Sequence, residues 1–370
     1  MAQISPVVGD KFNNGGVIFL YEMRQKRSVQ RPLAWLLSLF LSVGCLTVAW
    51  AEGGERTLIP VGKAVGIKLF SDGALVVSVS DAPAADCGIK AGDLLLQIGD
   101  THIDSIECLQ SFLAQNGGSP VQLTYRRGGK TMETTVTPRL ASDGTYRLGA
   151  WIRDSMAGIG TMTYYDPTSG TYGALGHGIT DVDTQALMTL SGGAIMETSV
   201  KAVKRGEKGD PGELKGDFSR QRDVGTLTAN TDGGVFGTLE SSEFIHGHSV
   251  SVASPDEVTT GRATILCTVS GDDTREYDVE ILRLYGGGQN TRNMLLRVTD
   301  PELLAATGGI VQGMSGSPLI QDGRIIGAVT HVMVNDPAMG YGICIDTMLE
   351  TARGCLSGQP LVITGPFRSR

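Results

Sequence analysis

The run Gly313-Met314-Ser315-Gly316-Ser317-Pro318 leaves its part of the chain few conformations to choose from. Pro318 has no N–H to donate and a fixed φ, so it cannot lie inside a helix. The residues that follow, Leu319-Ile320, the turn pair Asp322-Gly323 and then Arg324-Ile325-Ile326-Gly327-Ala328-Val329-Thr330-His331-Val332, read as a β-hairpin. A serine flanked by glycines therefore sits at the mouth of a hairpin. A serine nucleophile needs an exposed Oγ, a base, and donors for a developing oxyanion. A Gly-x-Ser-Gly turn exposes Ser315 and lets the N–H groups of Gly313 and Ser315 converge on one point. The strand-to-helix nucleophile elbow is excluded by Pro318. The bland alternative is a glycine- and serine-rich turn with no chemistry.

Five histidines are candidates for the base. His177 lies in Tyr172-Gly173-Ala174-Leu175-Gly176-His177-Gly178-Ile179-Thr180-Asp181, where glycines on both sides leave the imidazole uncrowded. His331 lies on the strand after the serine. His246 and His248 could share a strand face, but two ligands without a third make no metal site. His102 reads as surface. His177 is taken as the base. A carboxylate that orients it is sought among Asp300, fifteen residues before Ser315, and Asp181, Asp183 and Asp346. Asp300-Pro301-Glu302 is also a good helix start, so an N-cap is the competing reading of Asp300.

The wider chain favours β structure. Glycine makes up 51 of 370 residues without a collagen period, which suggests many turns and short strands. Two domains are expected, at 58–140 and 141–370. In the first, Val65, Ile67 and Leu69 alternate, Asp72-Gly73 makes a turn, and a second strand follows to Ser80. Asp104 or Ser105 caps a helix to about Gln115, and a hairpin surrounds Arg127-Gly128-Gly129. In the second, residues 201–225 read as a polar, solvated excursion between strands.

Residues 1–57 form a lead and an export segment. Residues 32–51 are uncharged and mostly apolar, with Arg24, Lys26, Arg27 and Arg31 before them and Glu52 and Glu55 after. The length suits a bilayer crossing, and the charge bias puts the rest of the chain outside the cytoplasm. The segment is either a retained anchor, favoured by its length, or a signal peptide cut after Ala49-Trp50-Ala51. The net charge of −8 argues against a basic nucleic-acid-binding surface. Six cysteines without Cys-x-x-C give no zinc pattern, although one disulfide is compatible with export. Nothing here calls for a cofactor.

Residues 58–140 resemble a bacterial PDZ domain, on the run Gly88-Ile89-Lys90-Ala91-Gly92-Asp93-Leu94-Leu95-Leu96-Gln97-Ile98-Gly99-Asp100. The resemblance implies a peptide added as a strand at a sheet edge, its carboxylate in a backbone nest. Val65-Gly66-Ile67 looks like the apolar-Gly-apolar binding loop, unless Gly66 merely permits a turn.

Everything after residue 58 is similar to the sporulation stage IV signalling serine peptidases of endospore-forming bacteria. The resemblance rests on a histidine box at 173–184 and a serine box at 308–332. It implies His177 as base, Ser315 as nucleophile and Asp300 as the acid. It also implies an exported peptidase between forespore and mother cell. There it would cleave itself and a membrane-bound regulator, releasing an intramembrane protease that activates a late sigma factor. More distantly, the serine box resembles the chymotrypsin-like superfamily. That implies a trypsin-like double β-barrel, with Gly313 and Ser315 forming the oxyanion hole and Thr330 and His331 on the strand that pairs with substrate. Two departures stand out. Met314 occupies the place of the aspartate used in activation by a new N-terminus, and the acid precedes the serine too closely for chymotrypsin. A housekeeping envelope protease with a PDZ domain and an inactive PDZ scaffold are the alternative functions.

Overall fold

Residues 56–80, 83–217, 222–286 and 291–356 are described by a computed structural model. The apolar run 32–51, Cys45 and residues 218–221 of the polar excursion lie outside the described residues. Among the described residues, no helix is long and apolar enough to cross a membrane.

Val65, Ile67 and Leu69 are buried along strand β1 (Ala64–Val79). The turn expected at Asp72-Gly73 does not break this strand. The chain stays extended and the register merely shifts between Phe70 and Leu75. The two halves of β1 serve different domains. Ala74 and Leu75 pair with β2 (Leu94–Ile98), which pairs with β3 (Val121–Arg127), the hairpin partner of β4 (Lys130–Val136). Helix α1 (Ile106–Asn116) covers this sheet. The Ser105 hydroxyl accepts the Cys108 N–H at 3.2 Å to cap it, and left-handed Gly117 ends it. Leu109 and Leu113 pack with Val76, Leu95, Ile98 and Leu123 as the core of the PDZ unit.

Strand β5 (Ala150–Asp166) runs back along the full length of β1. Ala150 to Arg153 pair with its second half, and Ser155 to Thr161 with its first. Beyond this, β6 (Thr171–Ala174), β7 (Gly192–Glu197), β8 (Asp223–Thr231) and β9 (Gly234–Leu239) close a barrel in the order β1-β5-β6-β9-β8-β7 and back to β1. Val65, Ile67, Met162, Tyr172, Ile195 and Val235 fill it. The expected domain boundary near residue 58 therefore moves, because the first half of β1 is a barrel strand.

The second barrel closes through β10 (Gly261–Ser270), β11 (Asp273–Leu284), β12 (Met294–Val298), β13 (Pro318–Gln321), β14 (Arg324–Met333) and β15 (Asp336–Cys344). Helix α2 (Pro301–Thr307) follows β12. Helix α3 (Ile345–Leu356) bridges the barrels, packing Met348 and Leu349 with Phe236 of the first and Ala328 of the second. The expected double barrel is present. The polar excursion is more ordered than expected. Ser199–Lys204 and Glu213–Asp217 pair as a ribbon, and Leu214 is buried in the second barrel's core.

Candidate active site

The serine turn is pinned at four successive carbonyls. That of Gln312 accepts the Leu214 N–H at 2.8 Å, and that of Gly313 accepts the Thr161 hydroxyl at 2.8 Å. That of Met314 accepts the Ser317 N–H at 3.0 Å and hydroxyl at 2.7 Å. That of Ser315 accepts the Thr161 N–H at 3.0 Å. A peptide is planar and trans, so each pinned carbonyl turns the next N–H the opposite way. Among the described residues, the N–H groups of Gly313 and Ser315 have no acceptor in the fold, as an oxyanion hole requires. Met314 is fully buried in the second barrel's core and anchors the turn from beneath.

Gly316 joins this turn to the first barrel. Its φ is +96°, and a Cβ there would fall 2.0 Å from the Thr161 carbonyl oxygen and 2.5 Å from the Leu175 nitrogen. Only glycine fits. Leu175, two residues before His177, is itself left-handed at φ 67°. For a branched residue that stores about 1–3 kcal/mol of strain. Asn230 steadies the next stretch, accepting the Ile179 N–H at 2.8 Å and donating to the carbonyls of Ile179 at 3.0 Å and Met188 at 2.8 Å.

The Nδ1 of His177 lies 2.8 Å from the Gly178 carbonyl. A carbonyl only accepts, so Nδ1 carries the proton and Nε2 keeps a lone pair in the neutral ring. Burial lowers the His177 pKa, the Gly178 contact partly offsets this, and the Arg292 charge lowers it further. The base is thus neutral at neutral pH. The His331 ring lies 5.0 Å away, tilted by 41°. Its Nδ1 is buried and has no hydrogen-bond partner among the described residues, and burial, with His177 and Arg292 adding, pushes its pKa down to about 4. The Ser315 hydroxyl donates to the Thr330 carbonyl at 2.6 Å, on the strand residue preceding His331. The contacts Ser315–Thr330 and His331–His177 thus link the two halves of the site.

The Thr330 side chain is buried and donates to the Tyr341 carbonyl at 3.1 Å, so its backbone is the part turned to Ser315. His331 pairs with Tyr341 of β15. His246 and His248 are exposed, and among the described residues no cluster of three metal-ligating side chains occurs. The five described cysteines are unpaired thiols.

Two expectations need correction. Asp300 does not reach His177: its carboxylate accepts the Leu303 N–H at 2.9 Å and the Asp278 N–H at 3.4 Å, so it is the N-cap of α2. Pro301 at the first helical position suits that job. The rivals fare no better. Asp181 is fully buried, ion-paired to Arg153, and accepts from the backbone of Asp183 and Thr184, while Asp183 shares Arg153. Asp346 lies in the first turn of α3. Among the described residues, no carboxylate contacts His177.

Nor do Val65, Gly66 and Ile67 form an open loop. They lie in β1 with β7 paired on one edge and β5 on the other, leaving no room for an added strand. The open edge of the PDZ unit lies elsewhere. Ala150 to Arg153 pair with β1 on one side, and among the described residues no strand pairs with their other edge. Asp154, next along, accepts the first N–H of α1 from Ile106 at 2.8 Å. Left-handed Gly149, at φ 78°, precedes this edge.

Sequence patterns had no way to single out Thr161, Leu214 or Asn230. Each acts on residues more than forty positions away, and none belongs to a motif.

Two β-barrels holding a serine turn against a histidine loop, with a PDZ unit built onto a shared strand pair, define a PDZ-bearing serine peptidase. Residues 144–349 match the family described as SpoIVB peptidase S55, and residues 75–127 match the PDZ domain. The chain belongs to the SpoIVB peptidase S55 family. Among curated relatives, it is 46% identical over 66 residues to a serine protease Do-like HtrA of Lactococcus lactis, covering 17% of this chain and 16% of that one. It is 27% identical over 113 residues to the metalloprotease MmpA of Caulobacter vibrioides, covering 30% and 24%. The chain spans about a quarter or less of the length of the curated relatives it matches. Among solved structures, the HtrA-type protease AlgW with a decapeptide is similar over 81% of this chain and 66% of that one, at 12% identity and a TM-score of 0.34.

Proposed function

We propose that this peptidase is an exported regulatory endopeptidase of sporulation in which Ser315 and His177 work as a dyad. The observation that carries the chemistry is the pinned serine turn lying against the histidine loop, with unpartnered N–H groups on Gly313 and Ser315. In the resting arrangement the Ser315 hydroxyl is parked on the Thr330 carbonyl. Rotation about χ1 turns it to His177. Oγ then attacks the scissile carbonyl carbon while its proton passes to Nε2 of His177. The carbonyl π pair moves to oxygen, which the Gly313 and Ser315 N–H groups receive. Collapse breaks the C–N bond, the amine leaves with the proton held by His177, and water repeats the sequence on the acyl-enzyme. The Gly178 carbonyl takes the orienting place that a carboxylate fills in a triad, and it stabilises the imidazolium less strongly. The strand edge at Thr330 and His331 is where the substrate backbone aligns.

The PDZ unit takes a peptide as an added strand along 150–153, with a terminal carboxylate received near Gly149. The substrates proposed are the chain itself and a membrane-bound regulator of an intramembrane protease. Supporting this are the sequence likeness of the histidine and serine boxes and the apolar run 32–51, which would anchor the chain outside the cytoplasm. A fluorophosphonate probe should label the wild type and not Ser315→Ala. Comparing membrane proteins in sporulating cells carrying each form should show one or two whose cleavage depends on Ser315. Absence of labelling would reject the nucleophile, and dozens of dependent substrates would favour the housekeeping reading.

A further inference from the structure

Thr161 lies on β5, twelve residues before the histidine box and far in sequence from the serine box, and it touches both halves of the site. Its hydroxyl donates to the Gly313 carbonyl at 2.8 Å and its N–H to the Ser315 carbonyl at 3.0 Å. Its own carbonyl accepts the Leu175 N–H at 3.2 Å, two residues before the base. The side chain is buried at 1% exposure, away from bulk water. The partner carbonyl belongs to glycine with φ of +97°, a residue whose adjacent peptide planes rotate more freely than those of any other. Without a side chain at 313, the orientation of that carbonyl must be imposed from outside.

We propose that Thr161 is a positioning residue for the peptidase reaction: its hydroxyl holds the Gly313 carbonyl away from the cleft and keeps the two oxyanion donors convergent. The inference rests on Ser315 being the nucleophile. The hydroxyl touches neither substrate nor the reacting atoms. Its contribution is felt when charge develops on the oxyanion, because both donors flank the peptide it fixes. Loss of the hydroxyl should therefore lower kcat and spare KM.

The test compares Thr161→Val, Thr161→Ser and Thr161→Ala in the full chain, using peptide hydrolysis, a peptide boronate that forms a tetrahedral adduct, and thermal melting. Removing a direct oxyanion donor costs about 10²–10³ in kcat, so an indirect support should cost about 10–100-fold. That loss is expected in Thr161→Val and Thr161→Ala, with KM within about twofold and boronate affinity falling in step with kcat. Thr161→Ser keeps the hydroxyl and should stay within a few fold of wild type. Should Thr161→Val fail to fold, the Ser and Ala variants still differ by one oxygen and carry the comparison. Unchanged kcat in Thr161→Ala, or equal loss in Ser and Ala, would overturn the proposal. A wild type that no fluorophosphonate labels would instead overturn the nucleophile assignment.

Discussion

The serine turn and the histidine loop face one another, yet they are stabilised differently. The turn at 312–317 satisfies itself partly from within, through Met314 in the core and the Ser317 bonds to the Met314 carbonyl. The loop at 175–188 depends on outside help: Leu175 is strained, Asn230 holds three of the loop's backbone groups, and Arg153 neutralises buried Asp181. The loop thus carries the strain and the buried charge, while both halves depend on tertiary contacts, the turn on Thr161 and Leu214 and the loop on Asn230 and Arg153. Damage around Asn230 should reach the base, and damage around Thr161 should reach the serine turn.

The largest effect should come from the reacting groups. Ser315→Ala and His177→Ala should each lower kcat by several orders of magnitude on a peptide substrate, with melting temperatures near wild type. Retained cleavage by purified Ser315→Ala would remove one side of the comparison altogether.

Gly316→Ala should be next, and should act on both halves at once. Its methyl would meet backbone of Thr161 and Leu175, neither of which can swing aside. A loss of several kcal/mol is expected from denaturant unfolding, together with loss of activity. A stable, active Gly316→Ala would show that the barrels do not meet as closely as described.

Asn230→Ala acts on the histidine loop. It should cost about 1–3 kcal/mol by removing partners of buried backbone groups. Turnover should fall further than that stability loss explains, and fluorophosphonate labelling should slow with it, because the Oγ proton needs the same base. Turnover lost no further than stability explains would contradict the placing of the base by Asn230.

The pH dependence sharpens the account of the base. His177 must be neutral to act, so activity is lost as pH falls through its pKa, and burial puts that midpoint below the ordinary 6.5. His331 contributes to stability in the same direction. Its pKa is about 4 folded against 6.5 unfolded, so the unfolded chain takes up the proton first and stability declines from about pH 6.5 to about pH 4. His331→Gln should flatten that decline in urea titrations at stepped pH. An acid limb above pH 6.5 would contradict the neutral, buried base.

The smallest effect is expected at Asp300. As an N-cap it should tolerate Asn with little change in rate or melting, while Ala should cost about 1 kcal/mol. In a triad, the same Asp-to-Asn change has cost about 10⁴ in kcat. A loss of that size in Asp300→Asn would restore it as the acid.

Local signals explain what could be read in advance. Pro318, the Asp322-Gly323 turn and the largely apolar strand after it announce a hairpin wherever they occur, and the helix at Ile106–Asn116 carries its own cap and stop. The failures share a different cause. Asp300-Pro301-Glu302 satisfied two patterns equally, and only the position of His177 in space separates them. Val65-Gly66-Ile67 has the look of a loop until β7 and β5 are seen on either edge. The polar segment 201–225 hides Leu214, one apolar residue among charges, which the second barrel buries. Pairing partners more than a hundred residues apart leave no trace in local spacing.

The sharing of β1 and β5 between the PDZ unit and the first barrel bears on how such a chain can be inherited and engineered. A module on a linker can be lost, exchanged or grafted elsewhere without cost to its neighbour. Here excision of residues 58–140 would take a stave from the barrel that carries the base, and grafting the peptidase alone would require the first half of β1, Ala64 to Phe70, to travel with it. A length change within either strand would alter registers in both partners. The two units are thus bound to a common ancestry of insertions and deletions, and a PDZ unit borrowed from another protein has to arrive with strand ends that continue into the barrel.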